Sequence, residues 1–173
     1  MDYLKNITPG KVPDRINVIV EIPKGSQNKY EYDKKLGIFK LDRVLFSPIH
    51  YPGDYGFVPQ TLGEDNDPLD TLVLVSHATY PGMLIEARPI GVLHMIDNGE
   101  RDDKILAVPT TDPRFGDYKD IKAVQKHILD EIAHFFAVYK QLEGKKVEIL
   151  GWKGVKEAEG IIVKSVERYS KSI

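Results

Sequence analysis

The chain has 173 residues, 42% of them hydrophobic, which is enough apolar material for one core, so residues 1–173 read as a single domain. Its 24 basic and 26 acidic residues leave a net charge of −2, excluding any global attraction to nucleic acid or to an anionic membrane; an anionic ligand has to be held by local groups. The absence of cysteine excludes disulfides and thiolate chemistry and makes the cytoplasm the expected compartment, in keeping with an N-terminus that lacks a signal-peptide core and with apolar runs too short to span a membrane.

Ile16 to Ile22 is rich in β-branched residues, with Ile16, Val18, Val20 and Ile22 on one face and Pro23 and Gly25 beyond it, the pattern of a strand. Glu21 lies on the opposite face, either as an edge charge or as an inward carboxylate of a site. Lys29 to Asp33 and Ile38 to Arg43 alternate with period two across a turn from Lys34 to Gly37, as hairpin strands do. Lys29, Glu31 and Asp33 then share a face, which a solvated surface would also explain. From His50 to Pro59 the chain is dense in Tyr, Pro and Gly, a structured loop whose tyrosines suit either contact with phosphate oxygens or the capping of a barrel.

Glu64-Asp65-Asn66-Asp67-Pro68-Leu69-Asp70 follows, with aspartates at first, third and sixth place around turn-forming residues. Carboxylates so close repel one another and require a hard cation, a basic partner or full exposure to water. The apolar run Leu69 to Val75 anchors this turn to the mouth of a strand. A surface acidic turn is the plain alternative. An EF-hand fails on spacing, because Leu69 and Asp70 stand where its loop needs an oxygen ligand and a glycine, and flanking helices are missing.

Met83 to Ile96, broken by Pro89 and Gly91, predicts a strongly bent strand or a strand pair. Met95 to Pro109 reads as a hairpin reversing near Asn98-Gly99, which brings Asp97 close to Asp102 beside Lys104, either as an exposed acidic tip or as a second carboxylate cluster. Helical spacing of Ile121, Val124, Ile128, Ile132, Phe135 and Tyr139 predicts a helix from Asp120 to Lys140, stopped by Gly144. Val147 to Trp152 is a last strand, and Val155 to Ser170 a second helix with Ala158, Ile162, Val166 and Tyr169 on one side. His50, His77, His94, His127 and His134 form no close ligand pair, so they read as packing or interface residues and zinc is not expected.

The carboxylates Glu21, Glu31, Asp65, Asp67, Asp70, Asp97 and Asp102, the cations Lys29, Arg43, Lys104 and Lys140, and the tyrosines Tyr55 and Tyr139 thus fall at strand ends, turns and one helix end. Here the sequence resembles the soluble family I inorganic pyrophosphatases, of the bacterial and archaeal type. Asp65-Asn66-Asp67-Pro68-Leu69-Asp70 looks like their signature. The likeness extends to Val20-Glu21-Ile22-Pro23, Lys29-Tyr30-Glu31, Asp42-Arg43, Tyr51-Pro52-Gly53-Asp54-Tyr55-Gly56, Arg88-Pro89-Ile90-Gly91-Val92, Asp97 with Asp102 and Lys104, and His134-Phe135-Phe136 leading to Tyr139-Lys140. It covers about Pro13 to Tyr169; Thr71 departs from the apolar residue or Gly usual after Asp70.

The resemblance implies a mainly β (α+β) fold, a five-stranded antiparallel barrel of the oligonucleotide-binding (OB) type with two flanking α-helices. It also implies Mg²⁺ as cofactor, hydrolysis of pyrophosphate to two phosphates by metal-activated water, and a homohexamer. Pyrophosphate is multiply charged, so attack by water is opposed by repulsion and both nucleophile and leaving group need cations. In that reading Asp65, Asp70 and Asp102 ligate a first metal, Asp70 bridges to a second, and Asp97 with Asp102 holds a further Mg²⁺ arriving with substrate. Asp67 is the base. Lys29, Arg43, Tyr55, Lys104, Tyr139 and Lys140 hold the phosphates, while Glu21 and Glu31 orient the groups around them. Competing readings are an OB-fold module binding single-stranded nucleic acid, with Tyr51, Tyr55 and other aromatics stacking on bases, a structural domain binding a divalent ion, and a phosphatase acting on organic diphosphates.

Overall fold

The computed structural model describes residues 2–173. The strands are β1 (Ile16–Ile22), β2 (Asn28–Asp33), β3 (Ile38–Val44), β4 (Asp54–Phe57), β5 (Asp70–Val73), β6 (Leu84–Asp97), β7 (Glu100–Arg101), β8 (Lys104–Pro109) and β9 (Val147–Gly154). The helices are α1 (Lys126–Val138) and α2 (Val155–Ser172). Strand β1 pairs with β4, β4 with β5, β5 with β8, β8 with β6, and β6 returns to β1, so five strands close into a ring. This is the expected five-stranded OB-type barrel with two helices, except that β5 and β8 run parallel, which makes the sheet mixed. A parallel pair needs a long crossover, and β6 with β7 supplies it. The β2–β3 hairpin forms its own two-stranded sheet beside the ring.

The bent strand expected around Pro89 and Gly91 is one strand, β6, whose register against β8 shifts between those residues. Pro89 donates no ladder bond and Gly91 lets β9 pass close, since a Cβ there would lie 2.8 Å from the Lys153 carbonyl oxygen. The bend lets β6 pair with β1 at its start and with β8 and β9 further on. Its reversal at Asn98-Gly99 uses positive φ angles of 50° and 87°, as a two-residue hairpin requires.

Two apolar layers flank the ring. On one side Ile90, Leu93, Met95 and Leu106 pack with Ile132, Phe135, Phe136 and Tyr139 from α1 and its end. On the other, Val92 and Ile105 meet Ala158 and Ile162 of α2. The first helix begins later than its periodicity suggests. Ile121–Ala123 is a 3₁₀ turn, and Val124 and Gln125 are extended before α1 starts at Lys126. The cause is Asp120, whose carboxylate accepts from the Lys122 N–H at 3.1 Å and from the Val155 N–H at 3.0 Å. That second bond ties the segment to the start of α2, and Val124 reaches the core from a turn instead of a helix.

Gly56 sits where β4 crosses β1 opposite Val20. A Cβ there would lie 1.9 Å from the Ile19 carbonyl oxygen, so Gly56→Ala forces two paired strands apart; urea melts should show a loss above about 2 kcal/mol. Asp120 gives a pH-dependent test. The Val155 and Lys122 backbone N–H groups hold its carboxyl below the ordinary aspartate value, so its contribution is present above the unfolded value of about 3.9 and is lost as pH falls through the lower folded value. Asp120→Ala should cost about 1 kcal/mol at pH 7, and urea melts at lower pH should show that gap narrowing below about pH 4.

Candidate active site

The acidic turn is built by its own backbone. Asn66 takes a left-handed φ of 66°, the Asp67 N–H donates to Asp65 Oδ1 at 3.1 Å, and the Gly63 N–H donates to the Asp67 carbonyl. Thr61, buried, donates to the Val58 carbonyl at 2.6 Å and accepts from the Leu69 N–H at 2.9 Å. This clip fixes the turn to the ring. Asp70 then opens β5 and Lys104 opens β8, and the parallel register Thr71↔Ile105 sets the two side by side.

Lys104 is only 3% exposed and donates to Asp70 Oδ2 at 2.6 Å and to Asp102 Oδ1 at 2.5 Å. Burial works against its charge, but Asp70 and Asp102 outweigh burial and hold its pKa well above the ordinary lysine value. Asp70 Oδ2 also accepts from the Tyr55 hydroxyl at 2.5 Å. Burial raises the hydroxyls of Tyr51, Tyr55 and Tyr139 well above their usual value, so all three remain protonated donors at neutral pH. Burial likewise raises Asp102, in spite of Lys104, and Asp65. Glu21 accepts from the Tyr32 N–H at 2.7 Å, yet burial pushes its carboxyl up to about 8.

These groups, Tyr51 apart, line a cavity of about 370 Å³. Glu21, Lys29, Glu31, Tyr55, Asp65, Asp67, Asp70, Asp97, Asp102, Lys104, Tyr139 and Lys140 all line it. Lys29 pairs with Glu31 and with Asp42 at 3.4 Å. Lys140 pairs with Asp97, which also accepts from the Tyr139 hydroxyl at 3.4 Å. Asp97 faces Glu100 across the hairpin rather than Asp102, but both aspartates reach the same cavity. Asp67 is exposed and pairs with Lys34. Asp33, placed on the face of Lys29 and Glu31 by alternation, instead caps the hairpin turn by accepting from the Lys35 and Leu36 N–H groups.

Arg43 does not line the cavity. Its Nε donates to Glu143 at 2.7 Å and its Nη1 to Asp42 at 2.6 Å, while Nη2 is buried without a hydrogen-bond partner among the described residues. Sequence reasoning missed Glu143, 100 residues from Arg43, because no spacing rule links a turn after α1 to β3. Asp42, named only as part of the Asp42-Arg43 likeness, and Lys34, named only as a turn residue, carry no role in the sequence reading, though Asp42 holds Lys29 and Arg43 and Lys34 holds Asp67. Asp54 lies within a matching motif but does not line the cavity; fully buried, it accepts from the Lys24 and Thr79 N–H groups and the Thr79 hydroxyl and pins β4 to its neighbours. His94 is buried in contact with Arg101 and Asp103 and lines a second cavity beside Asp65, Asp70 and Asp102.

The stacking surface that a single-strand binder needs is missing from the tyrosines proposed for it. Tyr51 and Tyr55 are 1% and 7% exposed, and their rings lie 4.7 Å and 6.0 Å from Phe135 and Phe136. They cannot receive bases.

Among the described residues no three carboxylate or imidazole groups stand close enough to hold a metal ion as arranged, since Lys104 stands between Asp70 and Asp102. The donor set still suits a hard divalent cation. The cavity offers carboxylate oxygens and neither histidine nor cysteine, and Asp97 Oδ1 is buried with no hydrogen-bond partner.

Comparison with known proteins agrees with this geometry. The model of the inorganic pyrophosphatase family matches residues 18–170. An inorganic pyrophosphatase of Halalkalibacterium halodurans is 55% identical over 91% of this chain and 96% of its own, and one of Nostoc is 52% identical over 96% and 98%. The crystal structure of inorganic pyrophosphatase from Thermus thermophilus superposes with a TM-score of 0.94 at 44% identity, covering 97% of this chain and 99% of that one. With fold, acidic turn and near end-to-end likeness in agreement, the chain belongs to the inorganic pyrophosphatase family.

Proposed function

We propose that this chain hydrolyses inorganic pyrophosphate to two orthophosphates with Mg²⁺ as cofactor. The observation that carries this reading is the alternation of ammonium and carboxylate groups around one cavity, with Lys29, Lys104 and Lys140 each held by an acidic partner. An anionic substrate and hard cations together match both signs, whereas either alone leaves one sign unanswered. The family membership supports it, since the relatives are named for that activity.

In this reading Asp65, Asp70, Asp97 and Asp102 hold the divalent ions. When bound, such ions offset the charge of the diphosphate and acidify water. Lys29, Lys104 and Lys140 bind phosphate oxygens as point charges and Tyr55 and Tyr139 as hydroxyl donors. Arg43 stands in this set by resemblance; its guanidinium is held by Asp42 and Glu143 with Nη2 buried outside the cavity lining, so it reaches a phosphate only if that fork shifts toward the cavity. Asp67 accepts the proton of the attacking water. Its side chain is 70% exposed, where Asp65 and Asp70 are half-buried, and its described ion pair is with Lys34 rather than Lys104. Glu21 and Glu31 orient the hairpin through Tyr32 and Lys29. The same reading makes residues 1–173 one domain that works in the cytoplasm as a homohexamer, which light scattering after size exclusion tests. Among the described residues no helix is long and apolar enough to cross a membrane.

The direct test is phosphate release from pyrophosphate at neutral to mildly alkaline pH, with and without Mg²⁺ and with ATP as control. Rapid release from pyrophosphate alone, dependent on Mg²⁺, is expected; release from neither substrate would leave the carboxylates as structural groups. Asp67→Asn should lower kcat at least about tenfold with little change in Mg²⁺ affinity by calorimetry. Loss of Mg²⁺ binding in that variant would instead move Asp67 into the ligand set.

A further inference from the structure

Lys34, which no motif singled out, stands at the tip of the β2–β3 hairpin and lines the mouth of the cavity. The tip is a built turn. Asp33 Oδ1 accepts from the Lys35 N–H at 2.9 Å and the Leu36 N–H at 3.0 Å, its Oδ2 accepts from Lys40 Nζ at 2.9 Å, and Gly37 closes the turn at φ 68° with its N–H on the Asp33 carbonyl. With the backbone so fixed, the Lys34 side chain is directed across to the acidic turn, where Nζ donates to Asp67 Oδ1 at 2.9 Å.

The burial of this pair sets it apart from the others in the cavity. Lys104 is paired in the interior, and Lys29 and Lys140 are mostly buried, so removing their partners leaves charges in a low-dielectric setting. Lys34 and Asp67 keep 52% and 70% of their side chains exposed. A bond between two such exposed ends contributes little and is readily exchanged. Of the cavity's lysines, Lys34 is thus the one whose ammonium is open to solvent and held only by an exposed partner.

Resting on the pyrophosphate-hydrolysis reading of this site, we propose that Lys34 is a further substrate-binding residue, which exchanges its bond to Asp67 for one to an outer phosphate oxygen. The exchange has a second effect. It releases Asp67 from its only cationic partner among the described ion pairs as substrate enters, leaving that carboxylate able to accept a proton.

Steady-state kinetics of Lys34→Gln and Lys34→Arg at fixed free Mg²⁺ test this, alongside equilibrium binding of imidodiphosphate, a slowly hydrolysed diphosphate analogue. Lys34→Gln should raise KM about three- to tenfold and weaken analogue binding by a similar factor, with kcat within about twofold of wild type. Lys34→Arg, which keeps the charge, should bring both constants back to within about twofold of wild type. Unchanged KM and analogue binding in Lys34→Gln would overturn the proposal, as would a fall in kcat with KM unchanged. If the wild type hydrolyses pyrophosphate and Lys34→Gln matches it, only the role of Lys34 fails. If the wild type releases no phosphate, the hydrolysis reading fails and takes this inference with it.

Discussion

A lysine buried between two aspartates is the contact on which the rest of the site depends. Taking Lys104, Asp70 and Asp102 out of water is costly, and the cost is met only if the three charges stay within hydrogen-bond distance. The β5–β8 register keeps them there, because parallel pairing sets the starts of both strands at the same edge of the ring. Reversing either strand would separate the charges by a strand length. The parallel pair, the one departure from the antiparallel barrel, is thus also what gives the site its electrostatic centre.

The remaining groups are brought to that centre by elements from distant parts of the chain. The bend of β6 carries the chain round to the hairpin that bears Asp97 and Asp102. The α1 helix buries Phe135 and Phe136 against the barrel and so places Tyr139 and Lys140 at its end opposite Asp97. The β2–β3 hairpin lies outside the ring and adds Lys29 and Glu31 from the other side. The apolar packing positions and the ion pairs orient. Neither by itself produces an enclosed cavity whose walls alternate in sign.

That alternation also separates two kinds of aspartate that look alike in sequence. Asp54, Asp33 and Asp120 are satisfied by backbone N–H groups and hold turns and strands in place. Asp65, Asp70, Asp97 and Asp102 face the cavity beside other carboxylates, where repulsion and burial leave them suited to a cation. Residue type is the same in both sets; the difference lies in what surrounds the carboxylate, since Asp65 too accepts a backbone N–H, from Asp67, yet lines the cavity.

Local pattern was enough for the strand at Ile16–Ile22, for a last strand from Val147 that runs two residues past its expected end at Trp152, the hairpin around Lys34 to Gly37, the bend at Pro89 and the second helix, because period, turn residues and β-branching act over a few neighbours. The spacing of Asp65, Asp67 and Asp70 similarly marked the acidic turn as a candidate, and the structure brings all three to one cavity. Tertiary structure decided the rest. It began α1 six residues after Asp120, where periodicity had set the start, because the Val155 N–H claimed that carboxylate from a distant part of the chain. It buried Tyr51 and Tyr55 where a loop could have shown them to bases, and it joined Arg43 to Glu143 and Lys34 to Asp67. Each of those outcomes depends on which groups meet across the barrel, and contacts of that range leave no periodic trace in the sequence.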